Sequence, residues 1–115
     1  MQTDTQCGYI ETKNYSGPIY DIITNEVIGR KVHITTLNKL DLSEEGYVTE
    51  NATFYFSDGT ISYTISYRNN KNQFPEGLLI TTVLNASGEY FSAIGNSLTI
   101  DVNNTTLTRV ITVKL

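Results

Sequence analysis

Apolar and polar positions alternate with a period of two over most of this chain. The clearest run is Thr60 to Arg68. Ile61, Tyr63, Ile65 and Tyr67 fall on one side of it, and Ser62, Thr64, Ser66 and Arg68 on the other. That is the signature of a β-strand with two different faces. Gly46 to Phe56 reads as the strand before it. Ser57-Asp58-Gly59 joins the two as a hairpin turn, because glycine readily takes a positive φ. Asn69 to Gly77 is polar, contains Pro75 and reads as a loop. Leu78 to Leu84 is nearly all apolar or Thr and predicts a buried strand, with Asn85-Ala86-Ser87-Gly88 as the turn after it. Leu98 to Val102 and Leu107 to Leu115 predict the last two strands, with a turn at Asn103-Asn104. In the final strand Leu107, Arg109, Ile111 and Val113 share one face. Upstream, Arg30 to Leu37 reads as a strand, as does Gly8 to Tyr15. Ile19 to Ile28 is either a short strand or a strand with a turn at Thr24-Asn25. No window carries a capped apolar stripe of 3.6-residue period, so no long helix is expected.

Seven or eight short strands with frequent turns and no crossover helices imply an all-β, antiparallel fold: an eight-stranded barrel, or alternatively a β-sandwich. Closure into a barrel would hide the edge strands that a soluble protein must otherwise protect. The length of 115 residues, 39% of them apolar and 17% charged, suits one globular domain over residues 1–115 and excludes a disordered tail or a coiled coil.

From Tyr47 to Leu115 the chain resembles the allene oxide cyclase and dirigent-protein barrel family. Asn51-Ala52-Thr53-Phe54-Tyr55-Phe56 followed by Asp58-Gly59 is similar to that family's aromatic strand and turn. Ser87-Gly88-Glu89-Tyr90-Phe91-Ser92-Ala93-Ile94-Gly95 is similar to its Gly-x-Tyr/Phe-x-x-Ala-x-Gly signature, and a closing strand with Thr108-Arg109-Val110 follows as it does there. The resemblance implies an eight-stranded barrel, common trimer formation, and polar groups spread around a cavity. Where the family usually has two glycines before its signature, this chain has Asn85-Ala86. The motif's own physics is structural. Gly88 suits a left-handed turn, Tyr90 a plug at a barrel end, and Ala93 and Gly95 close passage of chain past chain. No catalytic residue carries over.

Charge narrows the partners. Eight basic residues against twelve acidic ones leave a net charge of −4, and only Arg30-Lys31 are adjacent. That argues against nucleic acid and against anionic membrane surfaces. No apolar run is long enough to span a bilayer as a helix. Residues Met1 to Gln6 carry neither a basic nor an apolar region, so they do not read as a signal peptide. A soluble, intracellular protein is expected, cytoplasmic or virion-associated. The Asn, Ile and Thr bias fits an A/T-leaning genome such as that of a large DNA virus or a low-GC bacterium. Cys7 is the only cysteine, so no internal disulfide and no cysteine-based zinc site is expected. Asn-x-Ser/Thr sequons at Asn14, Asn51, Asn85, Asn103 and Asn104 carry no meaning without secretion, and a secreted lectin-like module would need it.

Candidate chemistry is thin. His33 is the only histidine, and no Gly-x-Ser-x-Gly elbow accompanies it, so it reads as solvent-facing or cavity-lining. Asp41-x-Ser43-x-Glu45-Gly46 imitates a calcium loop, but its twelfth position is Ala52, so a polar turn is the better reading. No metal or cofactor is expected. Tyr63, Tyr67, Arg68 and Arg109 are the most suggestive side chains. An inward Arg109 would meet a carboxylate or anion inside the barrel, with Glu11 as a candidate partner. These five are the candidate ligand-binding residues. The alternation does not say which face is inward. Apolar residues occur on both strand faces, and a second apolar face marks an interface. A non-catalytic, self-associating structural or interaction protein is therefore expected, as a homo-oligomer (dimer or trimer). The alternative is a small-molecule-binding barrel with cyclase- or dirigent-like activity on an apolar substrate.

Overall fold

The computed structural model describes residues 9–39, 46–69, 77–103, 105–106 and 108–115. Seven strands run through them: β1 (Tyr9–Tyr20), β2 (Val27–Lys39), β3 (Gly46–Phe56), β4 (Gly59–Asn69), β5 (Gly77–Gly88), β6 (Ser97–Asn103) and β7 (Thr108–Val113). Their spatial order equals their chain order, and every neighbouring pair is antiparallel. Among the described residues the only helical element is a short 3-10 turn at Phe91–Ala93, and no helix is long and apolar enough to cross a membrane.

Side-chain chemistry sets the turns. Between β1 and β2 the Asp21 carboxylate accepts from the backbone N–H of Ile23 (2.8 Å) and Thr24 (3.0 Å), and Asn25 takes the left-handed conformation at φ 60°. The carboxylate held by those two amides lies below its ordinary pKa. The ambiguous segment Ile19 to Ile28 is thus the end of one strand, a turn, and the start of the next. The expected hairpin at Ser57-Asp58-Gly59 joins β3 to β4 in continuous register from Phe56↔Gly59 to Gly46↔Asn69.

One face of the sheet makes the core. Registered pairs place Lys31 beside Phe54, Phe54 beside Ile61, and Ile61 beside Ala86. The Ile61/Tyr63/Ile65/Tyr67 side is the inner one, and all four are buried. The outer side of β3 and β4 is a ladder of small polar groups, with Thr53–Ser62 at 2.9 Å, Asn51–Thr64 at 2.7 Å and Thr49–Ser66 at 3.1 Å. Such cross-strand pairs hold the register where no second layer covers the sheet.

The bend lies in β5. Its C-terminal half pairs with β4 from Gly59↔Gly88 to Tyr63↔Val83, with a register shift between Ser62 and Tyr63; its N-terminal half, Gly77 to Thr82, pairs with β6 instead. A bulge sharpens the local twist, and β6 and β7 swing over the inner face of the earlier strands. Leu98, Ile100 and Val102 of β6 are buried in the same core cluster as Tyr63, Ile65 and Val83. The radius of gyration, 16.0 Å, exceeds the roughly 13 Å of a compact chain this long, because the far end of the sheet stands outside this fold-over.

Several expectations change. The fold is all-β and antiparallel, but among the described residues it is a curled, seven-stranded half-barrel rather than an eight-stranded closed barrel. Among the described residues β1 and β7 each pair on one side only. Leu78 to Leu84 is not a buried strand. Val83 is buried, but Leu78, Ile80 and Leu84 stand 61%, 64% and 66% exposed, because among the described residues the outer side of β5 has no second layer. Asn85 to Gly88 continues β5 instead of turning. Gly88 does take a left-handed φ of 63°, and a Cβ there would lie 2.2 Å from the Asp58 carbonyl oxygen. Gly95 has φ 82° but open space around it, so its reason is conformation rather than close passage. Tyr90 is half-buried and tilts against Phe56 at 4.9 Å, in keeping with a plug at one end of the sheet. The calcium-like stretch from Asp41 to Glu45 and most of the Asn69 to Gly77 loop lie outside the described residues, as do Cys7, Asn104 and Leu107.

Candidate functional site

Among the described residues the inner face holds a buried cluster of ionisable side chains, centred on Glu50 of β3. Glu50 shares the parity of Val48, Ala52 and Phe54, so the pleat turns it inward with them. The fold-over of β6 and β7 then covers it, leaving 0% of it exposed. A lone buried carboxylate is untenable without partners. Here Arg109 of β7 supplies Nη1 at 3.0 Å and Nη2 at 3.3 Å to the two carboxylate oxygens. Lys31 of β2 donates from Nζ at 3.4 Å, and the Tyr63 hydroxyl of β4 donates at 2.5 Å. Four strands thus converge on a single carboxylate.

Burial alone would raise the Glu50 pKa, but Lys31, Arg109 and the Tyr63 hydroxyl outweigh it and hold the carboxyl below its ordinary value. Lys31 responds the other way. Burial and the Arg109 charge outweigh Glu50 and push it down to about 8. Its ammonium also lies over the rings of Phe54 (5.8 Å) and Tyr63 (5.7 Å), a cation–π arrangement that keeps some of its charge tolerable. Tyr63 and Tyr67 are both raised, by burial first and the Glu50 charge second, so they remain neutral phenols. His33 stacks on Tyr15, with ring centroids 4.8 Å apart. Burial and the neighbouring Lys31 charge lower its pKa, and its buried Nδ1 has no hydrogen-bond partner among the described residues.

Of the side chains singled out from the sequence, Tyr63 and Arg109 meet at this cluster, and Tyr67 lies buried on the same face. Arg109 does meet a carboxylate, but it is Glu50 and not Glu11. Glu11 sits on β1 and pairs with Lys39 of β2 at 3.0 Å. Arg68 is on the opposite, outer face and exposed. Sequence reasoning passed over Glu50 and Lys31. For Glu50 a signal was present, since it is the charged member of the inward parity of its strand. For Lys31 the signal misleads, because the apolar Val32 and Ile34 beside it are the ones facing out.

No family model, curated protein or solved structure matches this chain.

Chemically, the cluster is closed. One guanidinium N–H reaches Oε1 of Glu50, and the other, with the ammonium and the phenol, reaches Oε2. A carboxylate so engaged, with its pKa held down, is a poor general base. Among the described residues no three His, Cys, Asp or Glu side chains converge to hold a metal ion. What the cluster does is tie β7 to β3 across the inner face.

Proposed function

We propose that this chain is a non-catalytic, self-associating structural or interaction protein. The observation that carries this reading is its exposed apolar surface. On the outer face of β5, Leu78, Ile80 and Leu84 stand open with Val110 of β7 on the same side. At the β1–β2 turn, Ile22 and Ile23 are 76% and 90% exposed. Apolar area of this kind gains roughly 25 cal/mol per Å² when it leaves water, and contiguous patches mark interaction surfaces. The Glu50 cluster supports the same reading, since its side chains are engaged in linking β2, β3, β4 and β7. So does the resemblance to a barrel family whose members are commonly trimers. In this reading the sheet is completed by further copies of the chain rather than by an eighth strand of its own.

Sedimentation velocity over a range of concentrations tests the proposal. A concentration-dependent oligomer is expected, shifting toward monomer in Leu78→Asp and Ile80→Asp variants whose circular dichroism is unchanged. A wild-type chain that stays monomeric to its solubility limit refutes it. A second reading has one observation in its favour. Two cations face one carboxylate on the inner surface, with a buried histidine nitrogen on the same face that has no partner among the described residues. A small-molecule-binding half-barrel, with cyclase- or dirigent-like chemistry on an apolar substrate, would use those groups as anchors. Native mass spectrometry separates the two readings, because only this one expects a retained small molecule.

A further inference from the structure

β1 is the longer of the two sheet edges, twelve residues against six for β7. Among the described residues it pairs with β2 alone. Its register with β2 runs unbroken through Pro18↔Arg30, shifting only at Ile19/Tyr20. A proline is accommodated in a ladder where its nitrogen faces away from the partner strand. Residues bond alternately to either side of an antiparallel strand, so the backbone groups of Ile10, Thr12, Asn14 and Ser16 face the open edge, as Pro18 does. The odd-numbered residues bond to β2. Glu11 and Lys13, with Tyr15, have their side chains on the inner face and all three are exposed.

Resting on the self-association reading, we propose that the β1 edge pairs antiparallel with β1 of a second copy, about a two-fold axis at Thr12. Residue order selects that register. A two-fold one step earlier sets Glu11 against Glu11, and one step later sets Lys13 against Lys13; like charges directly opposite one another destabilise a ladder. Centred on Thr12, each Glu11 faces Lys13 of the second copy, twice over by symmetry. Because Lys39 already lies 3.0 Å from Glu11 on the same face, the row becomes lysine, glutamate, lysine across three strands. On the outer face Ile10 meets Asn14, and Thr12 meets itself. A two-fold at Asn14 also avoids like charges, but it leaves both Glu11 and Lys13 opposite neutral residues and brings Pro18 into the ladder against Ile10. Edge charges ordinarily block strand addition. Here their spacing favours the Thr12 register and rejects its immediate neighbours. The product is a continuous sheet across two half-barrels.

Two experiments on the full chain test this. In sedimentation equilibrium, Glu11→Lys and Lys13→Glu are each expected to weaken the dimer about tenfold or more, through two like-charge contacts in place of two ion pairs. The double reversal restores it, mixing the two single variants yields a heterodimer, and high salt reduces all these differences. In a Cys7→Ser background, Thr12→Cys is expected to cross-link readily. Its Cα atoms would lie about 5.5 Å apart, inside the roughly 4.4–6.8 Å span of a disulfide. Asn14→Cys is not expected to cross-link. Cross-linking of Asn14→Cys in place of Thr12→Cys overturns the register. An oligomer that tolerates both charge reversals, shows no preferential mixing and gives neither cross-link overturns the β1 interface while leaving self-association intact. A monomeric wild-type chain overturns both.

Discussion

Replacing Glu50 by Gln removes the charge on which four strands converge, and the cost can be worked out partner by partner. Arg109 loses two charge-assisted bonds at 3.0 and 3.3 Å, and it cannot shed its proton. Its side chain is 17% exposed, so water screens part of the loss, and its share is about 1.5–3 kcal/mol. Lys31 has an escape. With its pKa already at about 8, neutralising it at pH 7 costs about 1.4 kcal/mol, which caps its share. The Tyr63 hydroxyl keeps an acceptor in the Gln amide oxygen and contributes little. The expected destabilisation is therefore about 1.5–4 kcal/mol at pH 7, reaching the range for breaking a buried pair by removing one partner. At pH 9 the loss is smaller, because Lys31 is then largely neutral in both proteins. Urea unfolding followed by circular dichroism measures it as a change in midpoint at constant slope. A loss below about 1 kcal/mol would mean that Glu50 behaves as a solvent-screened surface group and that β7 does not lie over β3. Should the variant fail to fold, Tyr63→Phe probes the same carboxylate more gently, with an expected loss of about 1–3 kcal/mol.

Stability is expected to fall with acid in two stages. His33 has a lowered pKa in the fold, so the unfolded chain binds more protons and stability drops as pH falls below about 6.5. Glu50, also lowered, gives a second drop below about 4.5, and His33→Gln should abolish only the first stage in pH-dependent thermal melts. Lys31 works in the alkaline range: its lowered pKa makes stability rise from about pH 8 toward the ordinary lysine value, and Lys31→Met should remove that rise in the same melts. Leu98→Ala, at a fully buried site between β5 and β7, should cost about 2–5 kcal/mol in urea unfolding. Gly88→Ala should be far more damaging than Gly95→Ala. Both need a positive φ, but only at Gly88 would the new Cβ strike a carbonyl oxygen; the Gly95 change should cost about 1–2 kcal/mol.

The strands of this protein were largely legible in its sequence because a strand's signature is local. Gly46 to Phe56 and its partner Thr60 to Arg68 are found where their two-residue period and the Asp-Gly turn put them. The antiparallel all-β class and the presence of apolar residues on both faces follow from the same pattern. Which faces are covered is not local. The apolar run from Leu78 to Leu84 reads as buried on both sides, yet only its inner side meets another layer. That outcome depends on where β6 and β7 are carried by the bend in β5. The partner of Arg109 was out of reach for the same reason. Glu11 and Glu50 are equally plausible carboxylates until the register shift at Ser62/Tyr63 directs β7 over β3 and not over β1. The sequence by itself determined the strands and their alternation, through backbone geometry and turn chemistry. Only the tertiary structure decided the inner face, the buried carboxylate and the open edges, because each depends on contacts between strands far apart in the chain.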